Sequence, residues 1–143
     1  MTFKQHVALT TPVALLALPF LEDGLCALFF WAGGIFIDID HIIDYVREKR
    51  KLPVSLAAIE RFFYDLELKQ LYCVLHSYEL LAALFAMNFF FFQSSYGYSL
   101  LLGCLVHLIT DSVSNQVHWK SYFFFYRLKH SFAVGKMLKK ELP

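Results

Sequence analysis

Apolar residues gather into four long runs, at about residues 6–21, 24–45, 71–92 and 97–113. None shows the two-residue alternation of a half-buried strand, and each has the length of a helix. A helix crosses a hydrocarbon core of about 30 Å with roughly 17–25 apolar residues. The pattern predicts an all-α, polytopic membrane protein with about four transmembrane helices in a bundle. The first run is short and carries Pro12 and Pro19, so it spans with help from its neighbours or by thinning the bilayer. Two further stretches, residues 53–68 and 121–140, mix Phe62, Phe63 and Leu66, or Phe123, Phe124, Phe125 and Tyr126, with charged residues. Such mixtures suit the headgroup zone and predict interfacial amphipathic helices. The alternative is that they cap the bundle. No linker or internal repeat divides the chain, which reads as a single membrane-embedded domain, residues 1–143.

Composition sharpens this picture. Hydrophobic residues make up 58% of the chain and charged residues 17%, with a mean hydropathy of +0.50. Ordinary soluble domains carry about 45–50% apolar and about 25% charged residues. A chain this short cannot hide the excess in its own core, so it is expected to face the lipid bilayer. The formal net charge of +1 provides no bulk basic field, and no direct nucleic acid binding is expected. Cys26, Cys73 and Cys104 each lie in an apolar run, form no CxxC or Cys/His pair, and read as buried small hydrophobes.

The distribution of charge predicts a topology. The connection between the second and third runs carries Arg47, Lys49, Arg50, Lys51, Arg61 and Lys69. The tail carries Lys120, Arg127, Lys129, Lys136, Lys139 and Lys140. Short basic loops stay in the cytoplasm. Both termini are then cytoplasmic, and the turns at Glu22–Asp23 and at residues 93–98 lie outside. No cleavable leader is convincing, so the first run reads as a retained helix.

Ionisable side chains inside membrane segments are costly and mark function. The second run ends with Asp38, Asp40, His41 and Asp44, and its three carboxylates are close enough to repel without a cation. A solvated helix end is the alternative for this cluster. His76 and Glu79 begin the third run, and His107 and Asp111 lie one helical turn apart near the end of the fourth. His6 heads the first. The topology drawn from loop charge, which uses none of these residues, places all four clusters at one membrane face. Helix bundles build metal sites by projecting imidazoles and carboxylates inward from facing helices. Asp38, Asp40, His76, His107 and Asp111 are the expected ligands, with His6 and His41 as further candidates. Zinc is the expected divalent ion, and manganese or iron also suits such ligands. Glu79 or Asp44 is the candidate catalytic carboxylate, accepting a water proton or holding a ligand in place.

The residues Gly-Gly-Ile-Phe-Ile-Asp-Ile-Asp-His, with His6, His76-Ser77 and His107-x-x-x-Asp111, resemble the YdjM-type family of membrane-bound, metal-dependent hydrolases. The likeness spans roughly residues 1–115. Ile37 stands where that family commonly has Pro. The order of Asp and His ligands also resembles, more distantly, one zinc site of the zinc-dependent phospholipase C superfamily; Val134 stands four residues after His130, where that pattern has Glu. The resemblance implies an integral protein of a bacterial inner membrane. Its activity would be metal-dependent hydrolysis of a phosphoester at the cytoplasmic face, and position at headgroup level favours a phospholipid or other phosphoester lipid. A non-catalytic protein with a structural metal site, acting as a binding partner or scaffold, is the rival reading. Metal transport ranks third, because the ligands crowd one face. No Gly-x-Ser-x-Gly occurs to support a serine nucleophile. His118 and His130 fall in the basic tail and read as exposed or headgroup-facing.

Overall fold

Most of the long helices start where a short polar side chain can satisfy orphan backbone N–H groups. The computed structural model describes residues 1–139. In it Thr2 and Gln5 form a capping box for α1 (Phe3–Ala17). Asp23 caps α2 (Gly24–Phe36) through the Cys26 amide. α3 (Ile39–Lys49) follows directly, Ser55 caps α4 (Leu56–Tyr64), and Ser77 caps α5 (Tyr78–Met87). α5 continues as a wider π turn through Asn88–Phe92, and Ser94 then caps α6 (Ser95–Ser114). The last helix, α7 (Phe124–Lys129), sits between short 3-10 turns. Extended backbone pairs only as the isolated bridges Gln70–Ala133 and Val117–Leu138 among the described residues. The fold is all-helical.

The helices α1, α2, α5 and α6 form the bundle, and the α2–α6 contact is its axis. A Cβ on Gly33 would lie 2.1 Å from the Leu100 carbonyl oxygen, and one on Gly103 would lie 1.9 Å from that of Phe30. These two helices therefore touch backbone to backbone, as small residues at a helix–helix contact allow. At the end away from the chemistry, the Tyr96 hydroxyl donates to Asp23 (3.1 Å) and joins the two turns.

The structure redraws several expected segments. The 24–45 run is broken at Ile37–Asp38, where ψ of Asp38 tightens to −3°. The 71–92 run is helical only from Tyr78. Asp44 accepts from the Tyr72 and Cys73 amides instead, at 2.8 and 3.0 Å, which holds residues 72–76 as a loop. By length and apolar character, two helical stretches can cross a membrane, Gly24–Lys49 and Ser95–Ser114, while Tyr78–Phe92 is shorter. Of the two expected interfacial stretches, 53–68 folds α4 onto α3 through Tyr45, Ile59 and Phe62. Most of 121–140 caps the bundle, burying Tyr122, Val134 and Met137; Lys140 lies outside the described residues. Large apolar side chains stay exposed around the bundle, among them Leu16, Phe20, Phe90 and Phe91.

The Gly103 contact generates a test. Gly103→Ala is expected to destabilise the protein by about 1–3 kcal/mol, the usual cost of overpacking, read as a lower thermal midpoint in detergent. Gly135→Ala, where a Cβ meets nothing within 4 Å, is expected to leave the midpoint unchanged.

Candidate metal centre

Close approach of α2 and α6 places the chemistry. The Gly34 carbonyl lies against α6, where it accepts from His107 Nδ1 at 2.9 Å. A carbonyl only accepts, so Nδ1 carries the proton, and in the neutral imidazole His107 Nε2 presents a lone pair. His76 reaches the same state by another route. Its Nδ1 lies 3.1 and 3.2 Å from the two Asp40 oxygens, donating to that carboxylate, which frees its Nε2. The two Nε2 atoms face each other at 3.3 Å.

Two carboxylates complete the group. Asp38 Oδ1 lies 3.2 Å from His76 Nε2 and 3.3 Å from His107 Nε2. Asp111 Oδ2 lies 3.6 and 3.4 Å from the same atoms. Four acceptors thus converge in a buried space, with Asp38 the most open at 21% side-chain exposure. A tetrahedral zinc ion with arms of about 2.0–2.1 Å sets its ligand atoms about 3.3–3.4 Å apart. The observed spacings fit that figure.

The remaining oxygens of Asp38 and Asp111 turn towards His6. His6 Nε2 lies 3.1 Å from Asp111 Oδ1 and 4.0 Å from Asp38 Oδ2. The His6 ring stacks on that of His107 with centroids 3.8 Å apart. It is buried, with Nε2 in ion-pair contact with Asp111 and Nδ1 without a hydrogen-bond partner among the described residues. Buried imidazole nitrogens are rarely left so. His6, Asp38, His107 and Asp111 together form one grouping able to hold an ion. The Met1 amino group also reaches Asp111 Oδ1, at 3.2 Å.

A second grouping, Asp40, His41, Cys73 and His76, is satisfied from within. Asp40 Oδ1 is 3.1 Å from His41 Nδ1 as well as from His76 Nδ1, and Asp40 Oδ2 accepts the Leu75 amide at 2.9 Å. His41 stacks on Phe63 and only approaches Asp38, at 3.7 Å. The Cys73 thiol donates to Asp44 Oδ2 at 3.2 Å. Burial, with the Asp40 and Asp44 carboxylates, pushes its pKa up and keeps it a thiol. Cys73 is buried as expected of an apolar-run cysteine, but it does have histidine and carboxylate neighbours in space, His41 Nδ1 lying 3.4 Å away.

The expected ligands therefore sort by position. Asp38, His76, His107 and Asp111 converge, His6 joins their far side, and Asp40 and His41 stand behind them. Asp40 orients the His76 imidazole, as carboxylates behind metal-bound histidines do. Asp44 and Glu79, the candidate catalytic carboxylates, are placed elsewhere. Asp44 clamps the loop that carries His76. Glu79 accepts from Ser77 Oγ and from the Phe124 and Phe125 amides, which pins α7. His118 caps the Lys120 amide, and His130 packs on Tyr126. Arg127, counted from sequence among the basic residues of the tail, is instead 1% exposed and donates through Nη1 to the His76 carbonyl at 3.0 Å.

A cavity of about 720 Å³ opens onto this centre. Asp38, His41, His76, Asp111 and Arg127 line it, and Ile39, Ile42, Ile59 and Phe63 are among its apolar walls. Comparison of the chain with protein-family models, with curated proteins and with solved structures finds no match.

Proposed function

We propose that the chain is a membrane-embedded, divalent-metal-dependent hydrolase acting on a phosphoester at the cytoplasmic face of its membrane. The observation that carries this reading is that the Nε2 atoms of His76 and His107 lie 3.3 Å apart and each lies 3.2–3.6 Å from one oxygen of Asp38 and one of Asp111. Four lone pairs at that spacing repel unless a metal cation, or protons on the imidazoles, joins them. Asp38, His76, His107 and Asp111 would hold one ion, zinc first and manganese or iron next by ligand type. His6 and the outward oxygens of Asp38 and Asp111 would hold a second. That position has three protein groups, and a three-ligand site leaves a place for substrate. When bound, such ions polarise a phosphoryl oxygen and make water nucleophilic near neutral pH. The chain's own share is to fix both imidazole tautomers through Gly34 and Asp40, to hold His76 by its loop, and to shape the cavity.

Likeness to the YdjM-type family agrees with this reading and favours a bacterial inner membrane. Four short spans, α1, α2, α5 and α6, account for the exposed apolar faces. At about 1.5 Å per residue, the 15 residues of α1 reach only about 22 Å, so the bundle suits a locally thinned bilayer. The basic stretch Arg47–Lys51 then stays inside.

One observation favours a second reading. The four-group position is complete without substrate, which is the mark of a structural ion. In that case the protein is a scaffold held together by its metal.

Elemental analysis of detergent-purified protein is expected to find about one or two divalent ions per chain, the count that these groups can ligate. His107→Ala and Asp38→Asn are expected to lose them, while Asp40→Asn weakens binding by about 10–100-fold. Hydrolysis of nitrophenyl phosphate mono- and diesters by the loaded protein separates the readings. Turnover that vanishes on chelation supports the hydrolase, and full metal content without turnover on either ester supports the scaffold.

Impermeant maleimide labelling of intact cells tests the spans. Glu22→Cys and Gln93→Cys are expected to label from outside, and Lys51→Cys only after lysis. Labelling of Lys51→Cys in intact cells contradicts the topology.

A further inference from the structure

A buried guanidinium with an idle edge stands in the same cavity. Arg127 lines the cavity and is almost fully enclosed. One amino group, Nη1, is used on the His76 carbonyl. Nε and Nη2 have no hydrogen-bond partner among the described residues. Those two nitrogens share the side edge of the guanidinium plane, and their parallel N–H groups are the pair that grips an oxyanion at two points. Leaving charged donors buried and unmet is costly, so the edge points to a ligand.

Neighbouring carboxylates do not explain it. Burial lowers the Arg127 pKa, and Asp40, Glu79 and Asp44 lie close enough to oppose that lowering only in part. Each already accepts other donors: Asp40 from His76 and the Leu75 amide, Glu79 from Ser77 and α7, Asp44 from Tyr72 and Cys73. They temper the cost of its burial without filling the edge. Glu79 also pins the helix that carries Arg127, so the guanidinium is held in place from both ends.

The rest of the cavity has the opposite character. Ile42, Ile59 and Phe63 wall it, and Phe36, Ile39 and Leu56 line it while remaining exposed at more than half of their surface. A volume of about 720 Å³ lies within the range of small-molecule pockets, where apolar walls bind and a few polar groups orient.

We propose that Arg127 is the anion-binding residue of this cavity, gripping the phosphoryl group of an amphiphilic phosphoester whose apolar part lies along Ile42, Ile59 and Phe63. The proposal rests on the hydrolase reading for its position beside the metal centre. A metal centre and an Arg clamp on the same phosphoryl group is a recurrent arrangement for stabilising developing charge. The phosphoryl group has two possible sources, a membrane lipid or a soluble phosphate ester.

Binding measurements separate these elements. The probes are octyl phosphate, inorganic phosphate and a short-chain phosphatidic acid, titrated calorimetrically into detergent-solubilised protein whose metal content is measured in parallel. Wild type is expected to bind octyl phosphate more tightly than inorganic phosphate. Arg127→Gln is expected to weaken both by about tenfold or more at unchanged metal content, and Arg127→Lys to recover only part, because it keeps charge and loses the fork. Preference for the phosphatidic acid over octyl phosphate identifies a lipid source, and the reverse a soluble one. Arg127→Gln that binds both probes as wild type does overturns the proposal and leaves Arg127 a loop anchor. Arg127-dependent binding in protein that holds no metal sustains the anion site while the metal reading fails. Ile42→Trp decides the matter if the Arg127 variants do not fold. Loss of octyl phosphate with inorganic phosphate retained supports the cavity, and no change in either overturns it.

Discussion

The end of the bundle opposite the Tyr96–Asp23 contact is organised by four acceptor atoms that repel one another while the imidazoles are neutral. Asp38 Oδ1, His76 Nε2, His107 Nε2 and Asp111 Oδ2 come from a helix break, a loop and one turn of α6. Each imidazole has its other nitrogen committed to a group that can only accept. With both imidazoles neutral the remaining lone pairs meet unshared, so the arrangement calls for a positive charge at its centre, a metal cation or protons on the imidazoles. Asp40 and Asp44 then make sense as supports. They tie down the 72–76 loop through its amides and through His76 itself.

That centre depends in turn on how closely two helices can pack. Gly33 and Gly103 let the α2 and α6 backbones touch, and Gly34 spends its carbonyl on both Thr10 and His107. A side chain at Gly33 or Gly103 would push α6 away and withdraw the acceptor that sets the His107 tautomer, and one at Gly34 would strike Thr10 of α1. Packing, tautomer and ligand geometry form one chain of causes. The same cavity that reaches the carboxylates is walled by apolar residues and by Arg127, which joins the candidate metal centre to the proposed place for a substrate of mixed character.

Much of this was legible in the residues. The His-x-x-x-Asp spacing of His107 and Asp111 is a statement about one helix face, and it reads correctly because α6 is a regular helix. The gathering of His6, Asp38, His76 and Asp111 followed from loop charges and the order of apolar runs. The loop at residues 71–77 was not legible, because Leu71, Val74 and Leu75 are as apolar as a span; what prevents a helix is a carboxylate 28 residues earlier in the chain. The roles of Glu79 and Arg127 were hidden for the same reason. Their partners, the α7 amides and the His76 carbonyl, are backbone groups, and backbone partners leave no signature in side-chain spacing. Cys73 carried no signal either, since its histidine neighbour lies 32 residues away.

X-ray absorption spectroscopy at the edge of the metal loaded into purified protein tests the central claim most directly. The account predicts a first shell of nitrogen and oxygen only, at about 2.0–2.1 Å for zinc, with the outer-shell scattering of at least two imidazoles. A sulfur scatterer at about 2.3 Å would move the ion to the Cys73 grouping, and a shell without imidazole scattering would contradict the convergence of His76 and His107 on one ion.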